Sequence, residues 1–329
     1  MKNILNDIRR RPRRLRASES LRNLIRETTL EPKNLILPLF VVEGKGIKNP
    51  IPSMPGTFQY SVDQLLKAAK ECRSLDLGGV ILFGIPKHKD EKASQAYADN
   101  GVVQMGLREL AEHVPELFRI SDCCLCEYMN HGHCGIVQGK EILNDVSLEL
   151  LTKTAVSQAH AGSQMIAPSD MMDGRVLAIR KALDQNQKEN IPILSYAVKY
   201  ASAFYGPFRD AAKSIPHFGD RKTYQMDPGN FREALQEAKL DLEEGADILM
   251  VKPASHYLDI LRELKNRLDC PLAAYQVSGE YSMIKAASER GWIKEDEVMM
   301  ESLMAIKRAG AVFILTYFAT EAAKILNKG

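Results

Sequence analysis

The stretch DVSLELLTKTAVSQAHAGSQMIAPSD, residues 145–170, carries two periodicities end to end. Val146, Leu148, Leu151, Ala155 and Ala159 fall on one stripe of a helix, and Gly162 is the residue type that stops one. The run that follows, SQMIAPSD from Ser163, is short and apolar, as in a strand buried on both faces. A helix feeding a buried strand is part of a βαβ unit. The fold then depends on how often that unit recurs.

It recurs along the whole chain. Similar apolar runs are LILPLFVVEG from Leu35, GGVILFGIP from Gly78, LFRISDCCLC from Leu117 and PILSYAVKY from Pro192. ADILMVKPA from Ala246, PLAAYQVSG from Pro271 and AVFILTYF from Ala311 complete a set of eight. Helical spacing lies between them, as in SVDQLLKAAKEC, where a capping serine precedes Val62, Leu65, Leu66 and Ala69. NFREALQEAKLDLEEGAD and SHYLDILRELKNRLD repeat the scheme. Eight strands alternating with helices predict a TIM (β/α)8 barrel over residues 34–329, preceded by an N-terminal arm, residues 1–33. An open doubly wound sheet is the alternative. No Gly-x-Gly-x-x-Gly follows the first strand, which counts against a dinucleotide-binding version of it.

Composition narrows the function classes. The 329 residues are 45% hydrophobic and 26% charged, with a net charge of +2, which suits a globular protein without nucleic acid or membrane as main partner. No apolar run reaches the length of a membrane span. The opening MKNILNDIRRRPRRLR lacks the apolar core of a secretory signal, and six cysteines without one suggest reduced thiols. The expected location is the cytoplasm. The basic run Arg9, Arg10, Arg11, Arg13, Arg14 and Arg16 has no interleaved aromatics to stack on bases, so it reads as a polar arm crossing the surface or gripping a neighbouring subunit.

A barrel gathers its chemistry at the C-terminal ends of its strands. SDCCLCEYMNHGHCG, residues 121–135, stands at the end of the third run and supplies Cys124, Cys126 and Cys134. Three thiolates suit zinc and leave a fourth position open, as in catalytic sites. Strand alternation would put Cys124 and Cys126 on one face and Cys123 on the other. His131 and His133 are second-shell or loop residues, and a group of inert buried cysteines is the plainer alternative. Ser169 and Asp170 end the fourth run, Lys199 the fifth, Lys252 the sixth, Ser278 the seventh and Tyr317 the eighth. A buried lysine loses its proton easily, and its neutral amine can form a Schiff base with a ketone. Two such lysines would depress each other's pKa. Arg209, Arg221 and Lys222 nearby imply a substrate bearing carboxylates. Residues 208–230, polar and rich in Gly and Pro, could serve as a lid.

Together these pieces resemble the porphobilinogen synthase (5-aminolevulinate dehydratase) family across nearly the whole chain. The resemblance is carried by RPRRLR, FVVEG with SMPG, CLCEY with HGHCG, APSDMMDGRV, YAVKYASAFYGPFRDA, YQMDPGN, GADILMVKP and YQVSGEY. It implies condensation of two 5-aminolevulinate molecules to porphobilinogen with loss of two waters. Lys252 then matches the lysine holding the first substrate and Lys199 the second Schiff-base lysine. Cys124, Cys126 and Cys134 match the ligands of a catalytic zinc, so the chain is similar to the zinc-dependent type. Arg209 and Arg221 match the carboxylate binders of one substrate, Ser278 and Tyr317 those of the other. Asp122, Ser169 and Asp170 match acid/base or positioning groups. Glu237 is the nearest match to an allosteric magnesium ligand, and the arm matches one that builds homo-octamers. A Schiff-base class I aldolase on the same fold is the alternative; it leaves the cysteine loop and one lysine without a task.

Overall fold

The computed structural model describes residues 10–328; Arg9, the first arginine of the basic run, lies outside them. Eight strands follow in chain order: β1 (Leu35–Val42), β2 (Gly79–Ile85), β3 (Arg119–Cys123), β4 (Met165–Pro168), β5 (Leu194–Lys199), β6 (Ile248–Lys252), β7 (Leu272–Gln276) and β8 (Phe313–Thr316). All pair in parallel, in the spatial order β4-β3-β2-β1-β8-β7-β6-β5. The two ends of that path meet where Ile166 bridges to Ile193 and its N–H donates to the Pro192 carbonyl at 3.1 Å. The eight apolar runs therefore form the expected barrel, and the open-sheet alternative falls.

Pairing around the ring is uneven. β1 and β2 match over Ile36–Val42 against Gly79–Ile85, whereas β1 meets β8 only at Leu35–Ile314 and Ile36–Leu315. A short strand, Phe58–Ser61, lies beside Phe40–Val42 on the flank that β8 leaves open. It is itself paired in antiparallel fashion with Lys48–Pro50. Neither was foreseen, because FQYS is too short and too polar to stand out by periodicity.

Two local expectations need correction. Ser61 stands at the N-cap of helix Val62–Ser74 but does not cap it. Its hydroxyl donates to Asp63 at 2.6 Å and accepts from the Ile47 N–H at 2.8 Å, so it fastens the preceding turn. In helix Asn144–His160 the buried stripe runs through Leu150, Leu151 and Ala155, while Val146 is 52% exposed. In that first turn the buried side is taken by Ser147, whose hydroxyl accepts from the Ile136 N–H at 2.8 Å, so Val146 faces solvent. Gly162, at φ +103°, ends the segment as read.

The described part of the arm has no core of its own. Residues 10–20 are exposed, and Leu30 is the first buried one among the described residues. Helix Glu19–Leu24 is capped by Ser18, whose hydroxyl accepts from the Leu21 N–H at 3.2 Å. It leaves Leu24 and Ile25 in solvent.

Candidate active site

Because the strands are parallel, their last residues share one rim. Lys199 ends β5 and Lys252 ends β6, and the two are register partners across adjacent strands. Both are buried, at 5% and 6% exposure. Lys252 Nζ sits 4.4 Å from the Tyr275 ring centre, 5.0 Å from Tyr196 and 5.3 Å from each of Tyr205 and Phe208. Burial, and then the neighbouring Lys199, bring its pKa down to about 7. Lys199 Nζ instead donates a short hydrogen bond to the Ser169 carbonyl. A narrow cavity touches both lysines together with Cys126, Glu127, Ser169 and Arg221.

The cysteine loop reaches this cavity by a route other than the expected one. β3 stops at Cys123, so Cys124 and Cys126 are not alternate residues of a strand. A tight turn, with the Tyr128 N–H donating to the Leu125 carbonyl at 2.9 Å, folds them back. The sulfurs of Cys124, Cys126 and Cys134 all lie within 4.8 Å of one another and are buried. Cys123 turns away, with its thiol 3.5 Å from the Leu151 carbonyl. Burial raises the Cys124 thiol, while hydrogen bonds from Cys124 and Cys126 lower Cys134 well below the usual thiol range. Three buried sulfurs within reach of one another are a donor set that fits a soft divalent ion. The Asp122 and Glu127 carboxylates approach Cys124 within the same 4.8 Å, and Asp122 Oδ1 is buried without a hydrogen-bond partner. Burial, then Glu127, hold the Asp122 carboxyl well above its usual range.

His131 and His133 do not join the thiol cluster. His133 lies between the Tyr224 hydroxyl, 3.2 Å from Nδ1, and the Phe218 carbonyl, 3.0 Å from Nε2. Both partners belong to the segment expected as a lid. That segment also donates from the His217 N–H to the His131 carbonyl at 3.0 Å, and Arg221 donates to the Gly132 carbonyl at 2.8 Å. Residues 212–226 thus fold over the cysteine loop.

Arg221 is buried at 5% exposure and Arg209 is partly buried; each leaves its Nε without a partner. Lys222 points elsewhere and is exposed beside Asp220. Ser278 is not a strand end; it begins helix Ser278–Glu289, and its hydroxyl accepts from the Phe208 N–H at 2.9 Å. Tyr317 follows β8, its hydroxyl 3.0 Å from that of Tyr275. Asp170 Oδ1 accepts from the Met172 N–H at 2.8 Å, while Oδ2 is buried and unpartnered. Burial raises its pKa to about 6 against the opposing pull of Arg175.

A chain-length family match joins this geometry. Residues 9–325 match the family model described as "Delta-aminolevulinic acid dehydratase". A protein of that name from Bacillus subtilis is 57% identical over 316 residues, covering 96% of this chain and 98% of that relative. One from Synechocystis is 58% identical over 321 residues, with the same coverages. The crystal structure of the Toxoplasma gondii enzyme in complex with porphobilinogen superposes with a TM-score of 0.96 at 44% identity, covering 98% of this chain and 93% of that one.

The chain belongs to the delta-aminolevulinic acid dehydratase family.

As a member of that family the chain is a lyase of tetrapyrrole biosynthesis, joining two 5-aminolevulinate molecules into porphobilinogen. The aldolase alternative is thereby set aside. Next to the dehydratase rim, sequence reasoning missed Gln225, whose N–H donates to the Arg221 carbonyl at 2.9 Å and whose side chain borders the cleft that also holds Glu237. Its amide is 3% exposed, and both its nitrogen and its oxygen lack partners. A glutamine four residues after a predicted carboxylate-binding arginine, in a stretch otherwise rich in exposed polar residues, was the only signal. Glu237 stands apart from this rim. It lies on helix Arg232–Glu243 and lines a separate cleft with Asp173 and Glu233. Burial raises its pKa to about 7. Among the described residues, the tight three-ligand groups do not include it.

Proposed function

We propose that this dehydratase works through two lysine Schiff bases, assisted by zinc at the cysteine loop. The observation that carries the reading is the rung shared by Lys199 and Lys252, with both amines in one cavity bordered by Cys126 and Arg221. Lys252, poised to be neutral near pH 7, adds to the ketone of the first 5-aminolevulinate and expels water to form an imine. Lys199 captures the second substrate in the same way. Its tie to the Ser169 carbonyl orients the amine and must be released or shared as the imine forms.

The remaining groups divide the binding. Arg209, Arg221 and the unpartnered amide of Gln225 receive the carboxylate of one substrate, where a planar fork and an amide match its oxygens. Ser278 and Tyr317 receive the other. Asp122, Ser169 and Asp170 hold or move protons beside the imines; Asp122 and Asp170, both with raised pKa, can retain a proton where ordinary carboxylates cannot. Cys124, Cys126 and Cys134 would hold zinc, which supplies Lewis acidity toward an oxygen of the second substrate. The lid excludes water that would hydrolyse the imines.

Three further assignments complete the reading. Glu237, with Asp173 and Glu233 in the same cleft, would take magnesium at a distance from the chemistry. The arm, residues 1–33, makes the contacts of a homo-octamer; the exposed Leu15, Leu24 and Ile25 are apolar groups that a neighbouring subunit would cover. The enzyme works in the cytoplasm. No helix among the described residues is long and apolar enough to cross a membrane.

The deciding experiment is borohydride reduction in the presence of 5-aminolevulinate, followed by peptide mass spectrometry. Substrate attached to Lys252 supports the mechanism. An active enzyme that acquires no label at either lysine rules it out.

A further inference from the structure

The lid is held at one backbone position whose geometry the function above does not use. Helix Gly206–Ala211, which carries Arg209, ends in a turn where the Ser214 N–H donates to the Arg209 carbonyl at 3.0 Å and the Lys213 N–H to the Asp210 carbonyl at 3.3 Å. That pattern places Lys213 at the position after the cap, in the left-handed region at φ +50°. Glycine is the usual occupant, because a side chain there costs backbone strain. A strained residue persists only where its surroundings over-determine it.

The surroundings here are two cations. Lys89 Nζ donates to the Lys213 carbonyl at 2.6 Å, and Arg221 donates to the next carbonyl, that of Ser214, at 2.7 Å. Lys89 comes from the loop after β2, and that loop is sewn to the cysteine loop. The Asp90 N–H donates to the Tyr128 carbonyl at 3.2 Å, and the Asn130 N–H to the Asp90 carbonyl at 3.1 Å. One ammonium therefore spans the two segments that must close together, the cysteine loop and the turn behind Arg209. Lys89, Lys213, Asn130 and Gln59 border a cleft at this junction, and Gln59 donates to the Ala211 carbonyl at 2.7 Å from the same side.

We infer that Lys89 is a positioning residue: it latches the strained turn at Lys213 and so registers Arg209 and the lid against the cysteine loop. It acts through Arg209 and touches no reacting atom. The inference rests on the lid and on Arg209 as a carboxylate binder, as proposed above. A charged hydrogen bond of this kind, once lost, is expected to weaken substrate binding about tenfold.

The test compares the full-length wild type with Lys89→Met and Lys89→Arg, both zinc-supplemented. Lys89→Met is expected to raise KM for 5-aminolevulinate about tenfold with kcat changed far less, and to speed amide exchange across residues 212–218. Lys89→Arg, still able to donate to the carbonyl, should recover most of the KM. Borohydride trapping at Lys252 should persist in both, since its pocket is not part of the latch. Unchanged KM and exchange in Lys89→Met overturn the latch. An equal loss of kcat, trapping and zinc content also overturns it, by showing a merely structural role. Should Lys89→Met not fold, Lys213→Gly serves instead. It keeps the carbonyl and removes the backbone strain, so exchange across 212–218 should slow; no change there counts against the latch. A wild type that traps no substrate would overturn the mechanism itself and is distinguishable from either result.

Discussion

Lys199 and Lys252 occupy one rung of the barrel, yet their amines are kept in different states of readiness. Lys252 is ringed by aromatic faces, whereas Lys199 is tied to a backbone carbonyl. The difference predicts an order of events. Lys252→Met, which preserves volume and apolar packing, should lower kcat by about three orders of magnitude or more and abolish trapping. Lys199→Met should be comparably inactive but still trap one substrate at Lys252. Labelling of Lys199 alone in the wild type would reverse the order.

The pH dependence follows from the amine that burial and Lys199 bring to about 7. Below that value the amine is protonated and cannot add to a ketone; above it the amine is free. The initial trapping rate should therefore fall about tenfold for each unit of pH below 7 and level off above it. A midpoint near the ordinary lysine value of about 10.4 would show that the pocket does not tune Lys252.

The three clustered sulfurs and the one that turns away make a controlled pair. Cys124→Ala should lose bound zinc, measured by elemental analysis, and with it most activity that added zinc restores after chelation. Cys123→Ala should keep its zinc and lose only packing stability, about 1 kcal/mol, because its thiol faces the Leu151 carbonyl. Equal zinc loss in both variants would contradict the proposed ligand set.

Beneath the rim, Arg175 and Asp241 form a buried bidentate pair, with contacts of 3.1 and 2.7 Å and exposures of 2% and 3%. Ser195 of β5 donates to the same carboxylate. Asp241→Asn leaves the guanidinium buried without its counter-charge and should cost about 3–5 kcal/mol in denaturant unfolding. A loss below 1 kcal/mol would mean that water or another carboxylate already compensates Arg175.

What sequence revealed and what it hid separate along a physical line. The strands β1, β5 and β6 were legible because burial on both faces leaves an apolar run, and the lysines that end β5 and β6 were legible because a charge after such a run is costly. The convergence of Cys124 and Cys126 was legible only in outcome. Alternation along a strand was the wrong cause, since the chain turns after Cys123. Gln225 left only its spacing from Arg221 as a signal, and the tie between Lys89 and Lys213 left none. Both depend on which loop lies over which, and no local periodicity records that.

The thin seams of the barrel divide the chemistry as well as the sheet. β1 to β4 form one well-paired half and β5 to β8 another, joined at β1–β8 by two residue pairs and at β4–β5 by a single bridge. All three clustered cysteines belong to the first half, and both amines to the second. On the roles proposed above, condensation depends on two half-rings meeting in the right rotational setting, so a small slip at either seam would part the cysteine loop from the two amines without unfolding either half.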